Sequence, residues 1–130
     1  MLGYTAARRH ARRRKGLSFI ELARRNGTGC LLETATWRAS SDWAEPLGLS
    51  LDEMDRLNRD AVALLLDLKD DHASDRLPVV VSGCIGPRGH GYDPGRLISV
   101  AEARAYPRRQ VTTLAGAGSD MIAAITMTNI

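Results

Sequence analysis

The stretch Leu77-Pro-Val-Val-Val-Ser-Gly-Cys-Ile-Gly-Pro-Arg-Gly-His-Gly91 joins an apolar run to a glycine-rich loop. The three valines after Pro78 have β-branched side chains, which lose least freedom in extended backbone, so the run predicts a strand. Because its apolar residues do not alternate with polar ones, we expect a strand covered on both faces, as in a parallel sheet. The glycines that follow either permit tight turns or leave room for a ligand beside backbone N–H groups.

The chain has 130 residues, 44% of them hydrophobic, which predicts one domain with a modest core. No stretch reaches the ~20 apolar residues of a membrane span, and no secretory signal is recognisable, so we expect no membrane partner. The two cysteines, Cys30 and Cys84, are too few for a disulfide framework. A reducing, cytoplasmic location fits this composition.

The net charge of +3 comes mostly from the run Arg8-Arg-His-Ala-Arg-Arg-Arg-Lys15. Such a run attracts phosphate groups without specificity. The chain has no interleaved aromatic series for base stacking and no zinc-finger spacing, so we expect no specific nucleic-acid partner. A solvated tail or helix face is the favoured interpretation of the basic run.

Helical and strand patterns alternate in the first half of the chain. Residues 17–26 have the pattern of the last turns of an amphipathic helix, and Gly27 would end it. Residues 30–36 have the length and composition of a strand. In the polar loop that follows, Pro46 and Gly48 are expected to prevent helix formation.

A capping box at Ser50 and Glu53 begins the most regular helical pattern of the chain, which should fade between residues 71 and 74. A second capping box, at Ser99 and Glu102, predicts another helix.

This second helix should extend to about residue 115. Pro107 would kink it or shift its start, because proline lacks the N–H that a helix interior needs. Glycines at 116 and 118 end it, and residues 121–128 predict a third strand.

This order of elements predicts an α/β protein in which helices connect parallel strands, either a (β/α) barrel or a doubly wound sheet. A full barrel takes ~250 residues, so the chain would hold about half of one. Ligands bind at the carboxyl ends of such strands, where the polar and aromatic candidates are Glu33, Thr34, Thr36, Trp37, Arg38, Ser82, Cys84, Arg88, His90 and Thr126. Glu33 could equally be a substrate contact or a buried, paired structural carboxylate.

Several familiar sites are excluded by spacing. The glycine loop has neither the ending of a P-loop nor the spacing of a dinucleotide fingerprint. Three convergent metal ligands are not available, because the two cysteines stand at opposite ends of their strands and the three histidines show no paired spacing. Cys84 could act as a nucleophile only with a base, for which His90 alone is in range; a buried, unreactive thiol is the favoured interpretation.

Three segments together resemble the homocysteine S-methyltransferases, a family of the betaine-homocysteine methyltransferase type: Leu32-Glu-Thr-Ala-Thr-Trp-Arg-Ala-Ser40, Val81-Ser-Gly-Cys-Ile-Gly-Pro-Arg-Gly-His-Gly-Tyr92 and Gly116-Ala-Gly-Ser-Asp-Met-Ile-Ala-Ala-Ile-Thr-Met-Thr128. The resemblance covers residues 18–130 and implies strands two to four of a (β/α)8 TIM barrel, after a basic N-terminal segment at 1–17. It also implies zinc-dependent transfer of a methyl group from an onium donor to the sulfur of homocysteine.

By this resemblance, the substrate-binding residues are Thr36, Trp37, Gly83, Cys84, Gly86 and Thr126, with Trp37 as a wall of the pocket and the two glycines giving the loop access to it. The catalytic residues stay unassigned. The zinc ligands of the family lie on strands beyond residue 130, so we expect this chain alone to bind no metal and to be inactive.

The chain also departs from the family. Residues 1–17 replace the opening strand with its Asp-Gly-Gly turn, Ile125 and Thr126 stand where many members have a Glu-Thr pair, and His90 stands where relatives commonly carry Asp. Pro107 interrupts a helix that relatives leave intact.

Two other classes of function remain open. A partial barrel leaves strand edges and apolar faces uncovered, so the chain could be an interaction module that completes its barrel by self-association, as a homo-oligomer. It could also be the inactive product of a truncated or decayed gene.

Overall fold

Helices alternate with parallel strands in the computed structural model, which describes residues 6–89 and 97–127. The elements are, in chain order, helix α1 (Ala6–Asn26), strand β1 (Cys30–Glu33), two short 3₁₀ helices (Ser41–Trp43 and Glu45–Leu47), helix α2 (Leu51–His72), strand β2 (Val79–Ile85), helices α3 (Val100–Ala105) and α4 (Arg108–Gly116), and strand β3 (Met121–Ala124). No helix within the described ranges is long and apolar enough to cross a membrane.

The strands form one sheet in the order β1-β2-β3, and both pairs are parallel. Glu33 of β1 lies opposite Ser82 of β2, and Ser82 lies opposite Met121 of β3. The prediction of a parallel α/β arrangement is therefore confirmed. Its consequence is that the loops after all three strands leave the sheet at the same end.

Helices α1, α2 and α4 cover one face of the sheet and enclose the core. The side chains at its centre are at most 1% exposed and come from α1, α2, β2 and α4: Ile20, Val62, Leu68, Val81 and Leu114. Cys30 lies in the same core. This dry layer between helices and sheet is the main source of hydrophobic stabilisation in the described part of the chain.

The other face of the sheet is open near the amino ends of the strands. Leu31, Val80 and Met121 are 55%, 37% and 43% exposed. The expectation that the valine strand is covered on both faces is therefore wrong at Val80, since no described element packs over this part of the sheet. Closer to the carboxyl end, Ser82 and Cys84 on the same face are buried.

Helix α1 is longer than the sequence pattern predicts, because it begins at Ala6 and includes most of the basic run. The division between residues 17 and 18 falls inside this helix. Arg9 and Arg13 pair with Asp67 and Asp71 of α2, at N–O distances of 3.4 and 2.7 Å. These pairs are exposed, so each contributes about 0–1 kcal/mol, and the basic run is a solvated helix face tied to α2.

Both capping boxes are present. The backbone N–H of Ser50 donates to Glu53 at 2.8 Å, and the N–H of Glu53 donates to the Ser50 hydroxyl at 3.2 Å. Ser99 and Glu102 repeat the arrangement. Pro107 separates α3 from α4, as its missing N–H predicts.

Two predicted strands are shorter in the structure, and one predicted loop is partly helical. The strand predicted over residues 30–36 ends at Glu33. The N–H of Thr34 still donates to the carbonyl of Ser82 at 2.9 Å, and beyond that bond the side-chain hydrogen bonds of the threonines, described below, replace backbone pairing. The strand predicted over 121–128 ends at Ala124, ahead of a left-handed backbone at Thr126; residue 128 lies outside the described ranges. The loop around Pro46 is helical in part, since the first turn of a 3₁₀ helix needs no N–H from proline.

Replacing Leu68 by alanine should lower the free energy of unfolding by about 2–5 kcal/mol. Leu68 lies on α2 and is fully buried in the core, so the shorter side chain leaves a cavity. Urea denaturation followed by circular dichroism measures the change. The matched control is Leu22→Ala on α1, which is 58% exposed and should shift stability by less than about 1 kcal/mol. Equal losses in the two variants would contradict this assignment of the core.

Candidate functional site

The loops that follow the three strands meet around Trp37. The indole N–H of Trp37 donates to the hydroxyl of Thr126 at 3.2 Å and to the carbonyl of Ile125 at 3.3 Å. The same residue lies against Gly86 in the loop after β2. Trp37 therefore connects the ends of β1, β2 and β3 at one point.

A ring of side-chain hydrogen bonds continues the pairing of β1 and β2 beyond the end of the regular strand. The N–H of Cys84 donates to the hydroxyl of Thr34 at 2.8 Å, and the hydroxyl of Thr36 donates to the carbonyl of Cys84 at 2.7 Å. The two hydroxyl oxygens are 2.7 Å apart. Since Thr36 has already used its proton, the Thr34 hydroxyl donates to Thr36. This ring of hydrogen bonds holds the start of the loop after β1, which contains Trp37, and it needs no ligand to do so.

Buried amides hold this loop from the helix side. The side-chain amide of Gln110 on α4 donates to the carbonyl of Thr36 at 2.7 Å and to Asn58 on α2 at 3.2 Å. Asn58 in turn donates to the carbonyl of Ala39 at 2.8 Å. Both amides are at most 3% exposed, so their hydrogen bonds are strong constraints on the loop.

Further along the same loop, the hydroxyl of Tyr106 lies 3.0 Å from the hydroxyl of Ser40 and donates to the carbonyl of Pro87 at 3.1 Å. Arg88 pairs with Asp42 at 2.8 Å. These contacts join the loop after β1 to the loop after β2, in addition to the packing of Trp37 on Gly86.

The two candidate glycines, Gly83 in β2 and Gly86 just after it, have different surroundings. A Cβ atom at Gly86 would lie 2.6 Å from the carbonyl oxygen of Trp37 and 2.8 Å from its ring. A Cβ atom at Gly83 would lie 2.8 Å from Ile122 and 3.1 Å from Leu114. Gly86 is thus required for the seating of Trp37, whereas Gly83 faces the packing of α4 on the sheet rather than the open face.

Cys84 lies on the open face of the sheet beside Glu33. Burial, and after it the neighbouring Glu33 carboxylate, raises the pKa of Cys84 to about 12. The thiol is therefore protonated at neutral pH and is not a nucleophile. Ser82 lies opposite Glu33 in the register, two positions before Cys84, and its hydroxyl has no hydrogen-bond partner within the ranges that the structure describes.

Thr126 has a φ of 54°, in the left-handed region that β-branched residues rarely adopt. Such a conformation costs about 1–3 kcal/mol and persists only where the surroundings impose it. Its hydroxyl accepts from Trp37 and donates to the carbonyl of Ile125 at 2.7 Å. In this conformation the Thr126 hydroxyl lies against Trp37, at the carboxyl end of the sheet.

The homocysteine S-methyltransferase family model matches residues 25–130. The chain belongs to this family. Two solved structures are similar in fold, the oxidized and the metallated form of the homocysteine methyltransferase MmuM from Escherichia coli. Each has 23% sequence identity and a TM-score of 0.69, and the match covers 98% of this chain and 49% of that chain. No curated protein matches the sequence significantly.

The chain therefore spans about half the length of the solved homocysteine methyltransferase that it resembles. With its three parallel strands, it corresponds to a partial TIM-barrel-like fold of this family. The end of the sheet where the loops meet is the end at which enzymes with barrel folds bind their substrates.

The described residues do not fit a metal centre. They include no group of three or more His, Cys, Asp or Glu side chains that could hold an ion. Cys30 lies in the core under the helices, while Cys84 lies on the opposite face of the sheet. The two thiols cannot converge on one zinc ion.

The structure brings together four of the six candidate substrate-binding residues, namely Thr36, Trp37, Gly86 and Thr126, and it places Cys84 next to Thr36 through the hydrogen-bonded ring. Arg88 lies at the rim, and His90 lies outside the described residues. Asn58 and Gln110 were not among the candidates. The signal for Asn58 was a polar residue four positions after Met54 and three before Ala61, within the apolar stripe of α2.

Replacing Gly86 by alanine should displace Trp37, because the new methyl group would overlap the backbone of that residue. We expect a red-shifted tryptophan fluorescence maximum and a loss of about 1–3 kcal/mol in unfolding free energy. Gly116→Ala is the control, since no atom lies within 4 Å of a Cβ there. An unchanged spectrum in Gly86→Ala would show that Trp37 is not seated on this glycine.

Proposed function

We propose that this chain forms one side of a homocysteine-binding pocket in an S-methyltransferase, in which the sulfur of homocysteine receives a methyl group from an onium donor. The observation that carries the proposal is the meeting of three strand-end loops around Trp37 in a chain of this family. The anchored indole offers a rigid apolar wall to the side chain of a bound amino acid.

Binding and activation of the sulfur are separate requirements in this proposal. A free thiol has a pKa of about 8.5 and is mostly protonated at neutral pH, whereas the thiolate is the nucleophile. The described residues offer no group of three or more side chains that could hold a metal ion. We therefore propose that residues outside this chain supply the zinc site, and that the chain alone binds homocysteine without transferring the methyl group.

A reducing, cytoplasmic location completes the proposal. Cys30 and Cys84 are buried free thiols, and burial raises the pKa of both. Neither needs oxidation to stabilise the fold.

Calorimetric titration under reducing conditions tests the proposal. Homocysteine should bind the chain saturably, and Trp37→Ala should weaken binding by roughly tenfold, about 1.4 kcal/mol, through loss of the apolar wall. Leu22→Ala, at an exposed position of α1, should leave binding unchanged.

A parallel assay measures methionine formation with added zinc and either a sulfonium or a betaine donor. We expect no product above background. Turnover at a normal enzymatic rate would contradict the separation of binding from activation, and absence of saturable binding would contradict the function itself.

A second candidate function is supported by the open face of the sheet. Strands β1 and β3 each have one edge without a partner strand among residues 6–89 and 97–127, and Leu31, Val80 and Met121 are exposed beside them. A cleft of about 430 Å³ opens along β1, with a lining that is mostly apolar and includes Phe19, Leu31 and Leu64. We propose that a second copy of the chain could cover these surfaces, as a self-associating module.

Analytical ultracentrifugation at several concentrations tests self-association. The chain should sediment as a dimer at high concentration, and Leu31→Lys should shift it to monomer by placing a charge on the exposed face. Leu22→Lys adds the same charge at an exposed position of α1, a helix on the opposite face of the sheet, and should not change the distribution. A chain that stays monomeric at all concentrations would exclude this candidate.

A further inference from the structure

The guanidinium group of Arg38 lies between two indole rings. Its Cζ atom is 5.1 Å from the ring centroid of Trp37 and 4.8 Å from that of Trp43. Both distances are within the ~6 Å at which a cation is attracted to an aromatic face. An exposed arginine normally samples many rotamers, but these two contacts hold the guanidinium in one place.

The fold positions the residues that carry the two indoles. Trp37 is anchored by the hydrogen bonds of its N–H to Ile125 and Thr126. Trp43 ends a 3₁₀ helix that follows the buried residue Ser40, and Ser40 is hydrogen-bonded to Tyr106. The position of Arg38 relative to the strand ends is therefore determined before any ligand binds.

Arg38 also differs from Arg88 and Arg109 in its ion pairing. Arg88 pairs with Asp42, and Arg109 pairs with Asp55 at 2.7 Å. No carboxylate in the described parts of the chain pairs with Arg38. Contacts with aromatic rings do not use up the N–H donors of a guanidinium, so those of Arg38 remain available to a ligand.

A planar guanidinium with free N–H groups matches one class of ligand best. It donates two parallel hydrogen bonds to the oxygens of a carboxylate, with a geometry that the ammonium of lysine cannot reproduce. Homocysteine carries one carboxylate, and the candidate pocket begins at Trp37, the residue next to Arg38 in the chain.

We propose that Arg38, held between Trp37 and Trp43, binds the α-carboxylate of the amino-acid substrate. This inference rests on the proposed function and names the group that orients homocysteine at the rim of the cleft. The two indoles then have distinct roles, because Trp37 contacts both the substrate side chain and Arg38, whereas Trp43 only positions the arginine.

The test compares two ligands that differ only in the carboxylate. Homocysteine and 3-mercaptopropylamine share the thiol, the amine and the carbon chain between them. Calorimetric titrations use the wild-type chain, Arg38→Gln, Arg38→Lys and the control Arg25→Gln. Arg25 is an exposed arginine in the last turn of α1, which leads to the amino end of β1. Its replacement therefore makes the same change in charge far from the loops at the carboxyl ends of the strands.

We expect Arg38→Gln to weaken homocysteine binding by roughly 10- to 100-fold, the loss typical of a charged hydrogen-bonded pair, and to leave 3-mercaptopropylamine binding unchanged. Arg38→Lys keeps the charge but loses the paired donors, so its affinity for homocysteine should be intermediate. Arg25→Gln should change the affinity for neither ligand. Circular dichroism and urea midpoints establish that each variant is folded.

Three results would overturn the inference. Wild-type affinity of Arg38→Gln for homocysteine would remove the carboxylate contact and leave the proposed function intact. Equal weakening of both ligands would mean that Arg38 only supports the loop. Failure of the wild-type chain to bind homocysteine would remove the inference together with the proposed function.

Discussion

The parallel pairing of β2 with both of its neighbours is the constraint on which the remaining structure depends. It brings three loops to one end of the sheet, and every contact of the candidate site is made there. Asp120 supports this register at the start of β3, since its carboxylate accepts the N–H of Val81 at 2.7 Å and pairs with Lys69 of α2 at the same distance. The Lys69 ammonium and the Val81 N–H together hold the pKa of Asp120 below its usual value. This contribution to stability is present at neutral pH and is lost as the pH falls through the lowered pKa.

The two faces of the sheet have different physical characters. The helix-covered face is dry and tightly packed, and its glycine at position 83 leaves room for Leu114. The other face changes along the strands, from exposed Leu31 and Val80 to buried Ser82 and Cys84 at the carboxyl end. In a (β/α)8 barrel this face is the interior, which side chains from all eight strands fill. With three strands described, the chain supplies a part of such an interior, in agreement with its coverage of about half of MmuM.

Local patterns in the sequence predicted those features whose energetics are local. The capping boxes at Ser50 and Ser99 and the break at Pro107 depend on neighbouring residues, and all three are present in the structure. The end of β1 could not be predicted in this way, because it depends on a hydrogen bond from Cys84 to Thr34, fifty positions apart in the chain. The positions of Trp37 and Thr126 at the strand ends followed from the order of elements alone. Their direct contact did not, since it requires the left-handed backbone at Thr126.

In the proposed function, the holding of a substrate and its activation are separate. Trp37 and the stacked Arg38 are fixed by contacts within the chain, so they are ready to bind without reorganisation, which lowers the cost of ordering a ligand. Cys84, in contrast, is held protonated by burial and by Glu33, and the described residues include no cluster of side chains that could hold a metal ion. In the proposed function, such a chain orients homocysteine through its carboxylate and its apolar stem. The groups that deprotonate the sulfur are then proposed to lie outside this chain.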